Sequence, residues 1–195
     1  MKYLITLLLT TTAFSAIPNN LANIAKQGYK YALDKNLAHN PVTVVVDYSL
    51  PSNQKRLWLY DVEKNKTLLE TYVAHGKNSG LVSATKFSDH PRSLMSSIGF
   101  YQIGNSYYGK HGLSLRLNGL EPENKSALSR GIVIHSANYV QDSYINANNR
   151  AGRSWGCFAV TKEDEAKIIQ ATKNNSLLLA YYPNQKWLHG SKFFD

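Results

Sequence analysis

With 195 residues, 43% of them hydrophobic and 18% charged, the chain has the apolar content of one folded domain and too little charge for a disordered class. Its single cysteine excludes an intramolecular disulfide framework and any zinc site built on two thiolates, and leaves one thiol to be accounted for. A formal net charge of +9 favours anionic surroundings, but the lysines and arginines are dispersed without a long basic run, which argues against a nucleic-acid partner.

At the N-terminus, Lys2 precedes an apolar run from Tyr3 to Phe14 broken only by threonines, followed by the small residues Ser15 and Ala16. This pattern predicts a secretory signal peptide over residues 1–15, with Ala13 and Ser15 at the small-residue positions of the cleavage site. The run is shorter than the roughly 20 apolar residues of a membrane span, and no other segment approaches that length. The expectation is therefore an exported protein with no membrane span in its mature form, and a free thiol outside the cytosol suggests that the thiol has a use.

Residues 16–41 form an N-terminal helical segment by pattern. Leu21, Ile24, Ala25, Gly28, Tyr31 and Ala32 recur at helical spacing, and the helix must stop before Asn40-Pro41. The β-branched run Val42–Tyr48, the alternating Arg56–Val62 and then Leu68–Ala74 predict a strand meander, with turn residues between them. From Gly76 to Gly131 the abundance of Gly, Ser, Asn and Tyr predicts short strands and long loops. Gly131–His135 reads as a buried strand ending in a histidine. Thr161 and Asp164 resemble a capping box opening a helix through Ala166 and Ile169 to Lys173, and Leu177–Tyr182 is a last strand. The class is mainly β with flanking helices.

Cys157 lies in Gly152-Arg153-Ser154-Trp155-Gly156-Cys157. Gly156 lets the backbone approach a ligand, and successive amides at such a turn can face an oxyanion. A thiol near its ordinary pKa is mostly protonated at neutral pH, so a nucleophilic role requires a base or a nearby positive charge, for which His135 is the best candidate. By composition alone a lone cysteine is more often a small buried hydrophobe, and a lone histidine is equally ordinary. His39, His75, His90 and His189 lack metal-ligand spacing, and no metal or organic cofactor is called for.

Several ordered segments change this balance. Ile134-His135 is followed by Ser136-Ala137-Asn138-Tyr139-Val140, and Ser154-Trp155-Gly156-Cys157 follows after a loop. Upstream, in order, stand Ser96-Ser97-Ile98-Gly99-Phe100-Tyr101, Tyr108-Gly109-Lys110-His111-Gly112 and Leu117-Asn118-Gly119-Leu120-Glu121. From about Val42 to Tyr182 the chain resembles the L,D-transpeptidase catalytic domain family, in its YkuD-like murein branch. The chain departs from many members by carrying Trp155 where they have His, Ala159 where they have Arg or Asn, and Phe158 where the branch often has Pro.

The resemblance implies a YkuD-like β-sandwich, with residues 42–195 as the catalytic domain, acting on peptidoglycan stem peptides in the periplasm or cell envelope. It implies Cys157 as nucleophile, His135 as proton acceptor and later donor, and the amides of Gly156 and Cys157 as oxyanion donors. The other ring nitrogen of His135 would be oriented by a backbone carbonyl such as that of Ser136. Attack releases terminal D-Ala and leaves a thioester, which an amine converts to an L,D (3-3 type) crosslink and water to a hydrolysis product.

Arg153 and Ser154 flank the thiol. For Arg153 a loop ion pair and substrate binding weigh equally, and Ser154 is more plausibly a turn hydroxyl than a reacting group. Trp155 walls the pocket or fills core, and Tyr108 and His111 line the groove or pack a loop. Two alternatives stand beside the transferase: an exported non-catalytic wall-binding module, and a hydrolase (L,D-carboxypeptidase or amidase) on the same scaffold. The sequence carries no expectation for oligomeric state.

Overall fold

A computed structural model describes residues 14–172 and 175–194. The expected signal segment lies outside these residues except for residues 14 and 15, and so does Lys173. In chain order the elements are helix α1 (Asn19–Asp34), strands β1 (Val42–Asp47), β2 (Leu57–Asp61), β3 (Lys66–Thr71), β4 (His75–Gly76), β5 (Gly99–Gly109), β6 (Gly112–Gly119) and β7 (Val133–Ser136), and helix α2 (Asp142–Asn148). Strands β8 (Arg153–Ser154) and β9 (Phe158–Val160), helix α3 (Lys162–Ala171), strand β10 (Leu177–Tyr181) and helix α4 (Gln185–Gly190) complete them.

The eight-stranded sheet runs β3-β2-β1-β10-β5-β6-β7-β9, and β4 pairs with β8. The expected meander is the antiparallel β1-β2-β3 unit. The last strand inserts between β1, to which it is parallel, and β5, to which it is antiparallel. Laid flat, β3 and β9 would stand roughly 34 Å apart. Yet the Ala74 amide just beyond β3 donates to the Ala159 carbonyl in β9 at 2.9 Å, and Thr71 Oγ1 donates to Asp164 of α3 at 2.6 Å. The sheet therefore curls until its two edges meet, enclosing a core that includes Val44, Leu59, Leu69, Tyr101, Leu117, Ile134, Phe158 and Leu178.

The outer face is covered by α1, whose buried Leu21, Ala25 and Ala32 form the stripe expected of an amphipathic helix. Gly28 lies flat on Phe100: a Cβ there would come within 2.2 Å of the ring. The C-terminal residues close the same layer. Buried Glu121 accepts hydrogen bonds from the Phe100 amide, from Trp187 Nε1 in α4 and from Ser191 Oγ, and Phe193 stacks on Phe100 at 4.3 Å.

Between Gly76 and Gly131 the outcome differs from the expected short strands, because β5 and β6 form the longest hairpin of the molecule. Its outer half lacks apolar alternation because it stands clear of the core, and the register shifts between Ile103 and Ser106. Helices α2 and α4 are too short to show a periodicity in sequence. No helix of the described residues is long and apolar enough to cross a membrane.

Candidate active site

The β-branched Gly131–His135 segment becomes β7, and β9 lies parallel to it with Ile134 opposite Phe158 and His135 opposite Ala159. Ile134 and Phe158 face the main core, so the alternation of the pleat turns His135 to the other face, with Ala159. Cys157 lies in the turn just before β9, two residues ahead of the Ala159 that pairs with His135, and its side chain packs against the main core.

His135 is 3% exposed, and its Nδ1 lies 2.9 Å from the Ser136 carbonyl. A carbonyl only accepts, so Nδ1 carries the hydrogen and Nε2 of the neutral ring keeps its lone pair. The imidazole of His111, from the tip of the β5–β6 hairpin, stacks on His135 at 4.3 Å. Burial holds His135 below its ordinary pKa; the Ser136 bond opposes this, and the fields of His111 and Lys110 add to it. The imidazole is thus a neutral base at pH 7.

Cys157 is half-buried, and its thiol donates to the Gly131 carbonyl at 3.6 Å. Among the described residues it makes no hydrogen bond to His135. Burial pushes the thiol above its ordinary pKa, while the Val133 amide, Lys110 and Arg130 pull it down with less effect. In this conformation the sulfur is a protonated thiol and the imidazole is neutral, and the positive charges near the thiol do not outweigh burial.

The turn before Cys157 is held from within. Ser154 is buried; its hydroxyl donates to the Cys157 carbonyl at 2.7 Å and accepts the Gly156 amide at 3.1 Å. Ser154 thus serves as the turn hydroxyl that the sequence favoured over a reacting group, and the Gly156 amide, expected to face an oxyanion, is committed to it. Gly156 is required for another reason: its φ of +122° belongs to glycine, and a Cβ would come within 2.7 Å of the Met95 carbonyl.

Around this turn Trp155 is 67% exposed, with the Lys110 ammonium 5.4 Å from its ring centroid, so it is a surface wall and not core. Tyr108, on the β5–β6 hairpin, is 84% exposed. Arg153 is half-buried in β8 and donates to the Lys77 carbonyl at 3.1 Å, where sequence reasoning had weighed a loop ion pair. Tyr101 is fully buried, its hydroxyl on the Ser97 carbonyl.

Sequence reasoning missed Arg130. Its side chain is 4% exposed and donates to the Ser88 and Met95 carbonyls at 2.9 and 2.6 Å and to Ser97 Oγ at 2.7 Å. A lone arginine before a strand carries no sequence signal of that role. Among the described residues no group of three or more His, Cys, Asp or Glu converges as a metal site would require.

The family described as the L,D-transpeptidase catalytic domain matches residues 15–181. No curated protein matches the chain. Solved structures similar to it include an L,D-transpeptidase from Mycobacterium smegmatis, at 12% identity and a TM-score of 0.45 over 73% of this chain. Another is an L,D-transpeptidase from Stackebrandtia nassauensis, at 18% identity and a TM-score of 0.45 over 84% of this chain. The chain spans 59% of the first and 66% of the second. With the match extending over most of its length, the chain belongs to the L,D-transpeptidase catalytic domain family.

Proposed function

We propose that this protein is an exported cysteine acyltransferase of the cell envelope that acts on peptidoglycan stem peptides. The observation that supports the reading is that the turn bearing its only thiol leads directly into a strand whose Ala159 pairs with His135, a neutral imidazole anchored on a backbone carbonyl.

In the reaction, rotation about the Cα–Cβ bond of Cys157 turns Sγ from the Gly131 carbonyl toward His135, a change between staggered rotamers. His135 Nε2 takes the thiol proton as sulfur attacks the carbonyl joining the third, diamino-acid residue of the stem to its terminal D-Ala. Because burial disfavours a free thiolate, proton transfer accompanies attack instead of preceding it. The Cys157 amide is the oxyanion donor left in the turn, and Gly156 contributes the backbone path that lets it face the substrate. The C–N bond breaks, His135 protonates the leaving D-Ala amine, and a thioester remains on Cys157. An amine of a second stem completes a crosslink; water completes a hydrolysis.

Incubation of the full chain with stem tetrapeptide, followed by intact-protein mass spectrometry, tests this reading. An adduct of the stem lacking D-Ala should form on Cys157, with free D-Ala released and adduct formation suppressed in His135→Ala. Wild-type protein with a reduced Cys157 that forms no adduct and releases no D-Ala would leave the wall-binding alternative. Crosslinked dimer against shortened monomer among the products separates transferase from hydrolase.

A further inference from the structure

Beside the Cys157 turn lies a cleft of about 230 Å³ lined by Lys77, Tyr139, Tyr144, Arg150, Gly152 and Arg153. Three of these six residues are cations and none is an acid. The two arginines donate to carbonyls: Arg153 Nη1 to Lys77 and Gly80 at 3.1 and 3.4 Å, and Arg150 Nη1 to Ala151 at 3.0 Å. Among the described residues no Asp or Glu forms an ion pair with any of the three cations.

Like charges gathered at one place repel, by about 1 kcal/mol per pair at 4 Å even in bulk water and by more near a protein surface. Their joint field reaches His75, which pairs with Arg153 across the β4–β8 ladder; after burial, Arg56, Arg153 and Arg150 all push its pKa down. The tyrosines add hydroxyl donors. Gly152 leaves room at the wall, since a Cβ there would come within 2.5 Å of Tyr139. Arg153, which lines the cleft, directly precedes Ser154, whose hydroxyl holds the Cys157 carbonyl, so the cleft adjoins the turn that carries the thiol.

We propose that this cleft is an anion subsite that binds a carboxylate of the stem peptide whose scissile carbonyl lies at Cys157. The inference rests on the acyl-transfer reading above. The cleft is smaller than the roughly 300 to 1,000 Å³ of sites that enclose a whole small molecule, and guanidinium groups match the planar carboxylate. Stem peptides carry free carboxylates, and the Arg153-Ser154 link sets the cleft next to the turn that carries the thiol.

Calorimetry on the full chain carrying Cys157→Ala tests the subsite, with stem tetrapeptide offered as the free acid and with its carboxylates amidated. Amidation should weaken binding about tenfold or more. Adding Lys77→Gln and Arg150→Gln, both outside the core, should weaken the acid by a similar factor and erase its advantage over the amide. Equal binding of the two peptides, binding of neither, or a double variant that keeps the full preference would each overturn the subsite. D-Ala release by the wild-type chain reports separately on the chemistry. Acid and amide turned over with equal kcat/KM remove the subsite and leave acyl transfer standing; acid-selective binding without turnover does the reverse.

Discussion

The hydroxyl of Ser154 and the sulfur of Cys157 show how single atoms set the site. Ser154 Oγ satisfies two backbone groups of the turn, and a buried group left without its partner costs about 1 to 3 kcal/mol. Ser154→Ala should lower the unfolding free energy by about 2 kcal/mol in denaturant titration and lower kcat more than it changes KM, because it loosens the turn that carries the proposed nucleophile and not the proposed binding cleft. The sulfur makes a second prediction through its titration. With burial holding the thiol up, iodoacetamide labelling of Cys157 should rise with pH through an inflection above the ordinary thiol value of about 8.5. An inflection well below that value would mean that a thiolate–imidazolium pair exists at rest, contrary to the geometry. The motif around Cys157 was legible in sequence because it is local. The direction of the thiol was not, because the rotamer depends on Gly131 and Val133 across a strand pair.

Among the elements, the segment between β4 and β5 depends on one side chain. It holds Arg92 and Leu94 at φ of 62° and 56°, a region that branched or bulky residues avoid. Arg130 anchors the start of residues 88–97 through Ser88 and the end through Met95 and Ser97. The Met95 carbonyl it holds is the surface on which Gly156 rests, with Arg130 Nη2 itself 3.2 Å from a Cβ built there. Arg130→Met should therefore cost about 3 kcal/mol of stability, since it also strands Asp89, the acid paired with Arg130 at 3.4 Å. It should speed protease cleavage within residues 88–97 of the native protein; cleavage at the parent's rate would show that the segment holds its course without the arginine. The long β5–β6 hairpin belongs to the same scale. Its Gly, Ser and Asn content reads as loop, yet paired backbone extends the strands beyond the core and delivers His111 to His135 and Lys110 to Trp155.

Across the whole molecule, the closing of the sheet buries a cation beside a histidine. Arg56, fully buried, donates to the Leu50 and Val73 carbonyls, and its Nη2 lies 2.8 Å from His75 Nδ1. A guanidinium only donates, so Nδ1 accepts and Nε2 carries the proton to the Gly80 carbonyl. Burial first, and then Arg56, push His75 down to about 4. The unfolded chain binds this proton near pH 6.5 and the folded chain does not until about 4, so stability present above pH 6.5 is lost as pH falls toward 4, by about 3 kcal/mol. Glu121, held up by burial, works in the opposite sense, so the informative measurement is the difference between the parent and His75→Gln, which keeps one acceptor and one donor. The variant should show the shallower loss of unfolding free energy between pH 6.5 and 4.5, and parallel curves would count against the buried neutral histidine. The sequence by itself determined the helix stripe, the strand meander, the histidine at a strand end and the glycine before the cysteine, because each depends on spacings of two to four residues. Only the tertiary structure decided that β10 inserts between β1 and β5, that β3 and β9 meet, and that Lys77, Arg150 and Arg153 gather around one cleft. Those outcomes depend on which distant surfaces bury one another, a quantity that no local pattern of side chains contains.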